Sequence, residues 1–341
     1  HGLVEKERTV TVTFPAGSIV VRMDQPYSRI ADALLDKQYW APDDPQKHPY
    51  DDTGWSFSEL FNLKVTRITD PAILKAEMKP LTDPVAIAGK VSGSGSTLAI
   101  NNTAQTTLLA LVFKLKGANV QVAEKPFDAD GKHFNAGSLL VSNVSDDQVN
   151  GALHDLALDG VRLSAAPRAG LHPVQAPRIA MMHTWLATQT EGWWRYAFDT
   201  AGVPYDYIST QTAAKEGDLR AKYDVILFAP VSRASANDII NGIPRWNNPM
   251  PWKKSELTPN LGRIDSTDDM RPGLGYDGLE HLKKFVEQGG LLITCEDTAQ
   301  FAIEMGLAPG VSMASAGDAR VVGSVLNTVL VKKDSPVAFG Y

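Results

Sequence analysis

Seven histidines, one cysteine and a cluster of aspartates are the groups in this chain that could bind a metal or attack a substrate. A hydrolytic zinc site needs His or carboxylate ligands that a short, rigid spacing holds on one side of the metal. The histidines are His1, His48, His133, His154, His172, His183 and His281. None lies three to five residues from another, and none is followed three residues on by Glu, so no H-x-x-E pair exists. Cys295 ends one predicted strand and precedes a predicted helix over 296–305. A thiol at a helix N-terminus is acidified by the backbone N–H groups. Glu296 and Asp297 oppose that effect, and the plainer reading is a small residue at a strand end. Gly273-Leu-Gly-Tyr-Asp-Gly278 spells G-x-G-x-x-G. It follows the loop 268–272 and not a strand, so it reads as a turn into the next helix, not as a dinucleotide fingerprint. Asp265, Asp268 and Asp269 could offer oxygen ligands to Ca²⁺, but the full calcium-loop pattern is missing and solvated or capping acids are expected. No G-x-S-x-G elbow occurs.

The tryptophans give the best candidate cleft. His183 and Trp185 follow a predicted strand, Glu191, Trp193 and Trp194 open the next helix, and Trp246 and Trp252 lie in a long insertion. With Ser209, Cys295 and Glu296 they could share the carboxyl edge of one sheet. Indole faces bind sugars and peptide side chains, and they also fill cores. The candidate cleft is therefore His183, Trp185, Glu191, Trp246, Trp252, Cys295 and Glu296, with structural packing as the competing reading.

The elements that must position these groups read as an α/β chain. From Arg178 onward, predicted strands at 179–182, 205–208, 224–228 and 291–294 alternate with helices, which implies a parallel sheet covered on both faces. The stretch 231–275 interrupts this alternation and falls where such folds carry ligand contacts. Before Arg178 an eight-residue phrase recurs: Phe14-Pro-Ala-Gly-Ser-Ile-Val-Val21 returns as Phe134-Asn-Ala-Gly-Ser-Leu-Leu-Val141. Each copy predicts a turn, a buried strand, an amphipathic helix and a further strand (Val65–Ile68, then Val161–Leu163). Only the second copy has a strand, helix and strand ahead of it (98–100, Asn102 to Gly117, 120–122), so the chain is expected to begin inside a structural unit. Residues 39–62 read as a long loop packed by aromatic rings, and Gly89–Ser96 as a flexible connector. Pro167–Pro177 reads as a boundary. The expected domains are 1–82, 83–170 and 178–341.

Composition narrows the function classes. The 341 residues are 43% hydrophobic with a net charge of −6, enough to build cores without metal or disulfide staples. There are 17 basic against 20 acidic residues up to residue 177, and 16 against 19 beyond it, so neither part has the basic excess that nucleic acid requires. No apolar run reaches the length of a membrane span, no signal peptide is visible, and a single cysteine excludes an intrachain disulfide.

Several phrases together resemble a known family. They are Phe14 to Tyr27 (FPAGSIVVRMDQPY), Tyr50-Asp-Asp-Thr-Gly-Trp55, His183-Thr-Trp185 with Glu191-Gly-Trp-Trp194, Asn241-Gly-Ile-Pro244, Pro251-Trp-Lys-Lys254, Ile264 to Gly273 and Gly289-Gly-Leu-Leu-Ile293. As a set they resemble the region after the catalytic domain in large bacterial exported zinc metallocarboxypeptidases, which are carboxypeptidase A-like. The part from Arg178 resembles a class I glutamine amidotransferase-like domain. The resemblance implies two related small α/β units followed by a flavodoxin-like, amidotransferase-like parallel-sheet domain. It implies a secreted or periplasmic hydrolase whose zinc belongs to an upstream metallopeptidase domain, with no cofactor in this chain. None of that family's H-x-x-E apparatus can be carried onto these positions. In amidotransferases the nucleophilic Cys is flanked by glycines and followed by a later His. Here the neighbours are Thr294 and Glu296, and no His follows His281. The expected role is therefore a non-catalytic scaffold or substrate-binding region, with peptide or cell-wall carbohydrate as ligand and no nucleic acid. The alternatives are a thiol-dependent enzyme using Cys295 or a dedicated carbohydrate- or peptide-binding module.

Overall fold

A computed structural model describes residues 13–15, 17–37, 45, 54–61, 63–83, 87–244, 248–315, 317 and 328–340. Compactness divides the chain into one unit of residues 1–85 with 316–329 and another of 86–315 with 330–341.

In the first unit the described elements are helix α1 (Ser28–Leu35), the short helix α2 (Phe57–Leu60) and a 3-10 turn (Pro71–Lys75). Arg67 pairs with Asp32 on α1 and with Asp36 just beyond its end, and Ser56 Oγ donates to the Asp36 carbonyl at 2.8 Å. The expected strands at 19–21 and 65–68 do not form. Their side chains are largely exposed, and neither segment joins a sheet ladder. An isolated extended run has no partner for its backbone groups, so water satisfies them. Most of the 39–62 loop, Tyr39, Trp40 and Tyr50 included, lies outside the described residues.

In the second unit β1 (Val91–Gly93), β2 (Thr97–Ile100), α3 (Leu108–Lys114), β3 (Asn119–Ala123), the β4–β5 hairpin (Phe127–Ala129, Lys132–Phe134), β6 (Leu139–Ser142), α4 (Asp146–Leu156), β7 (Gly160–Leu163) and β8 (Leu171–Pro173) come first. Six of these strands form one sheet in the order β1-β7-β2-β6-β3-β8. β2 runs antiparallel to both neighbours, β6 and β7, and β6 runs antiparallel to β3. The two strand–helix–strand segments β2-α3-β3 and β6-α4-β7 are thus interleaved, which is the split βαβ arrangement. Ser145 caps α4 by accepting from Gln148 N, and Ala157 closes it in the left-handed region. The Gly89–Ser96 stretch is not a free connector. It contains β1, paired with β7, and Gly93 and Gly95, both at positive φ, stand where a Cβ would meet the carbonyls of Arg162 and Leu163.

The chain continues with β9 (Ile179–His183), α5 (Gln189–Ala201), β10 (Asp206–Ser209), α6 (Thr210–Lys215), α7 (Leu219–Lys222), β11 (Val225–Phe228), α8 (Ala236–Asn241), α9 (Gly275–Glu287), β12 (Leu291–Thr294) and α10 (Asp297–Glu304). The second sheet is wholly parallel, in the order β10-β9-β11-β12. All five residues of β9 are buried, as expected of a central parallel strand covered on both faces. The α/β class read from the alternation holds. One apolar core runs past the proline-rich stretch 167–177: it joins Leu98, Val141 and Leu153 to Ile179, Met181 and Leu227. Among the described residues, no helix is long and apolar enough to cross a membrane.

Candidate functional site

The order β10-β9-β11-β12 places the second strand of the sheet on one side of the first and the third on the other. The loops leaving β9 and β11 therefore diverge, and the carboxyl ends of these two strands form the topological switch point where open α/β sheets bind ligands. His183 is the last residue of β9 and is buried. Its Nε2 lies 2.8 Å from Asp265 Oδ2, and its Nδ1 lies 3.1 Å from the Thr184 carbonyl. Its ring stacks on Tyr207 of β10 at 4.2 Å between centroids and meets Trp185 edge-on at 4.9 Å. Both ring nitrogens are engaged, so the imidazole is held in place.

Glu191 adds a buried carboxyl in the first turn of α5. Tyr207 donates its hydroxyl to Glu191 Oε2 at 2.9 Å, and the Arg195 guanidinium lies over the Tyr207 ring at 4.5 Å. Glu191 Oε1 is 3.8 Å from Arg195 Nε, too far for a hydrogen bond. Burial pushes the Glu191 carboxyl up. The Tyr207 hydrogen bond and the Arg195 and His183 charges pull the other way without cancelling that rise. Burial, and then the Glu191 carboxylate, push the Tyr207 phenol far above its ordinary range. Three buried polar atoms of this cluster have no hydrogen-bond partner: Trp185 Nε1, Glu191 Oε1 and Arg195 Nε. Buried polar atoms are normally satisfied, so three together form a concentrated exception.

The insertion between β11 and α9 docks on the same edge. Asp265 reaches His183, and Thr267 Oγ1 donates to Gln211 Oε1 at 2.8 Å. Gln211 Nε2 in turn donates to the carbonyls of Asp269 and Pro272. Between α6 and this insertion lies a cleft of about 450 Å³ lined by Ser209, Thr212, Lys215, Lys253 and Thr267 among others. The aspartate cluster is dispersed: Asp265 turns to His183, Asp268 to Lys253 and Asp269 to Arg271. The G-x-G-x-x-G segment leads into α9, which starts at Gly275.

Of the residues expected in the cleft, His183, Trp185 and Glu191 come together. Trp252 lies in the insertion, exchanging backbone bonds with Thr267. Trp246 lies outside the described residues. Cys295 and Glu296 follow β12, two strands from β9, or roughly 10 Å at ordinary strand spacing. Burial raises the Cys295 thiol, as do Glu296 and Asp297, so at neutral pH it stays largely protonated. The strained residue of this strand-to-helix turn is Glu296, with φ 55° and ψ −121°, and not Cys295. Asp297 anchors the loop after β11 by accepting from Val231 N and Ala234 N. Sequence reasoning missed Tyr207 and Arg195. The available signals were the four-residue spacing of Glu191 and Arg195 and the position of Tyr207 on the strand beside β9.

Among the described residues, no group of three His, Cys, Asp or Glu side chains is placed to hold a metal ion. His133 pairs with Asp128, His172 with Glu124 and His183 with Asp265, while His281 lies against the Ala213 carbonyl. Comparison with known proteins finds no matching family model, no matching curated protein and no matching solved structure.

Proposed function

We propose that this chain is a non-catalytic, ligand-binding accessory region of an exported zinc carboxypeptidase-like hydrolase, with its ligand taken at the His183 edge of the parallel sheet. One observation carries the binding reading. Near the switch point, buried atoms of Trp185, Glu191 and Arg195 lack hydrogen-bond partners, with Trp185 against the ring of a fully engaged histidine and the Glu191–Arg195 pair on Tyr207, the ring stacked on that histidine. A ligand that reaches them after a small loop shift gains hydrogen bonds in a desolvated setting, where each is worth more than in water. The indole and the guanidinium suit an acyl or hydroxyl oxygen, and peptide and cell-wall carbohydrate both supply such atoms. The engaged imidazole and the protonated Cys295 support binding over turnover. The phrases shared with carboxypeptidase A-like proteins support the parentage, a secreted or periplasmic setting, and zinc held by the metallopeptidase domain of that parent.

The test is intrinsic tryptophan fluorescence titrated with short peptides and with peptidoglycan oligosaccharides, repeated on Trp185→Phe, alongside a zinc assay and a carboxypeptidase assay. Saturable quenching that Trp185→Phe weakens at least about tenfold, a loss of roughly 1.4 kcal/mol, supports the reading. No quenching, or quenching indifferent to that substitution, removes the binding site. Stoichiometric zinc with turnover removes the non-catalytic assignment.

A further inference from the structure

The charges lining the cleft between α6 and the insertion do not balance. Asp269 is fully engaged: its carboxylate accepts from Arg271 Nε and Nη2 and from the backbone N–H groups of Met250 and Arg271. Asp268 pairs with Lys253 at 2.6 Å, and both side chains stand in water, 87% and 56% exposed, so the pair holds weakly. Lys215 is the last residue of α6 and is exposed. It has no ion pair among the described residues, and its charge reaches Asp268. The acids around it are taken elsewhere, Glu216 by Lys222 and Asp265 by His183. Two lysines thus share one weakly held aspartate, and one positive charge is left over.

The walls that carry these charges are fixed. Gln211 is buried, accepts from Thr267 Oγ1 and donates to the carbonyls of Asp269 and Pro272. Ser209 is buried, accepts from Thr212 N at 3.2 Å and shares a hydroxyl bond with Thr212 at 3.1 Å. The cleft volume of about 450 Å³ lies inside the roughly 300–1,000 Å³ range of ligand pockets. Thr212 and Ser266 add hydroxyls to its lining, and no described lining residue is aromatic. Ammonium and hydroxyl donors form charge-assisted bonds to an anion, whereas a neutral sugar would find no ring face to stack on.

We infer that this cleft binds the carboxylates of a short acidic peptide, with Lys253 and Lys215 supplying the charge and Thr212 and Ser266 the hydroxyl donors. Asp268 is the internal stand-in for the ligand. A ligand carboxylate replaces it on Lys253, and Asp268 turns fully to the solvent in which it already stands. The exchange keeps Lys253 paired and brings Lys215 into use, so the ligand satisfies a charge that Asp268 alone leaves over. The inference rests on the reading that the His183 edge of the sheet takes a ligand, and it names that ligand's chemistry. The cleft adjoins that edge, since Ser209 is the register partner of His183 and Ser266 follows Asp265. Of the two ligand classes proposed for the edge, it selects peptide over cell-wall carbohydrate.

The test is isothermal titration of the full chain with two N-acetylated, C-amidated tetrapeptides, Ala-Glu-Glu-Ala and its neutral twin Ala-Gln-Gln-Ala. The acidic peptide should bind at least about fivefold more tightly, and the gap should narrow as salt rises from about 50 to 500 mM. Lys215→Gln and Lys253→Gln should each weaken the acidic peptide at least about threefold and leave the neutral one unchanged. Asp268→Asn frees Lys253 and should tighten the acidic peptide by about the same factor. A Lys253–Asp268 pair kept only for structure would not give effects of opposite sign from its two members. Unchanged amide exchange in β9 and β11 shows that each variant is folded. Equal affinity for the two peptides, or the same acidic-peptide affinity in all three variants, overturns the inference. If Trp185→Phe still weakens saturable quenching in that case, the sheet-edge reading stands without it; no binding of any peptide or sugar overturns both.

Discussion

Removing a single hydroxyl tests whether the buried cluster is coupled as its geometry indicates. In Tyr207→Phe the ring that stacks on His183 at 4.2 Å and carries Arg195 at 4.5 Å is retained. The losses are the hydrogen bond to Glu191 Oε2 and the hydroxyl's polar interaction with Arg195. Glu191 Oε1 already has no partner, so the variant leaves a buried carboxyl with neither oxygen bonded. A hydrogen bond to a charged group is worth about 1.5–3 kcal/mol, which puts the expected cost near 2 kcal/mol. In a Glu191→Gln background the phenol still meets an amide oxygen, a neutral bond worth about 1 kcal/mol, so the cycle should show about 1 kcal/mol of coupling. The chain has two units, so one global transition is an unsafe readout. Urea unfolding is best read through amide exchange of β9 and β10, with tryptophan fluorescence as a companion. A Tyr207→Phe cost below about 0.5 kcal/mol, or the same cost in both backgrounds, would refute the coupling.

Four further outcomes follow from the structure. The folded state holds the Glu191 proton to higher pH than the unfolded chain, whose carboxyl ionises near 4.5. The native state thus binds more protons above that value, stability falls as pH rises through the window, and Glu191→Gln removes that fall in a pH series of melts. Asp224 has the opposite sign: the Arg178 side chain holds its carboxyl well below the usual range, so its stabilisation is present above the ordinary carboxylate pKa and lost on acidification, and in the same pH series of melts Arg178→Met should lower stability near neutral pH and flatten its fall in acid. In Gly273→Ala the new Cβ would meet Gly242 N and the Ile239 and Ile240 carbonyls at 2.6 Å, all backbone, so a cost of about 1–3 kcal/mol and faster exchange across the 248–273 insertion are expected. Glu296→Gly relieves a backbone conformation that suits glycine and should stabilise by about 1 kcal/mol in thermal melts; a loss of stability would mean that the side chain has a partner that offsets the strain.

What the sequence made legible depended on whether the signal was local. The parallel sheet was readable because β9 and β11 are short apolar runs separated by helical stretches, a pattern set by burial on both faces. The recurrence of Phe14–Val21 at Phe134–Val141 was readable as text, and its turn geometry recurs in space. Whether Ile19–Val21 becomes a strand depends on neighbours far away or elsewhere, and no local propensity encodes them. The site divides in the same way. His183 and Trp185 were found because they adjoin a strand end. Asp265 was seen only as one acid in a cluster, because its pairing with His183 spans 82 residues and needs the insertion to fold back. Tyr207 was passed over as a strand residue, since its role comes from the register that sets β10 beside β9. Cys295 stood out by its address, whereas the strained backbone falls one residue later, a shift set by where β12 ends and α10 begins.

The way Asp265 is held bears on how a ligand could enter. Among the described residues, the side-chain bonds that hold this insertion to the sheet edge include Asp265 to His183, Thr267 to Gln211, and Gln211 to the carbonyls of Asp269 and Pro272. The elements beneath it, β9 and β10, are held by the parallel ladder and the cores on either face. Local opening should therefore cost less in the insertion than in the sheet, where the ladder and both cores must break. Such an opening exposes His183 Nε2 and the edge beside Trp185 without disturbing Glu191, which α5 and Tyr207 hold from below. A ligand oxygen that replaces Asp265 on the imidazole would lie beside Trp185, whose indole nitrogen has no hydrogen-bond partner. A cluster kept only for rigidity gains nothing from leaving those atoms unsatisfied, since an apolar filling of the same volume is often at least as stable. The unsatisfied atoms and the Asp265–His183 contact are what the proposed binding role rests on.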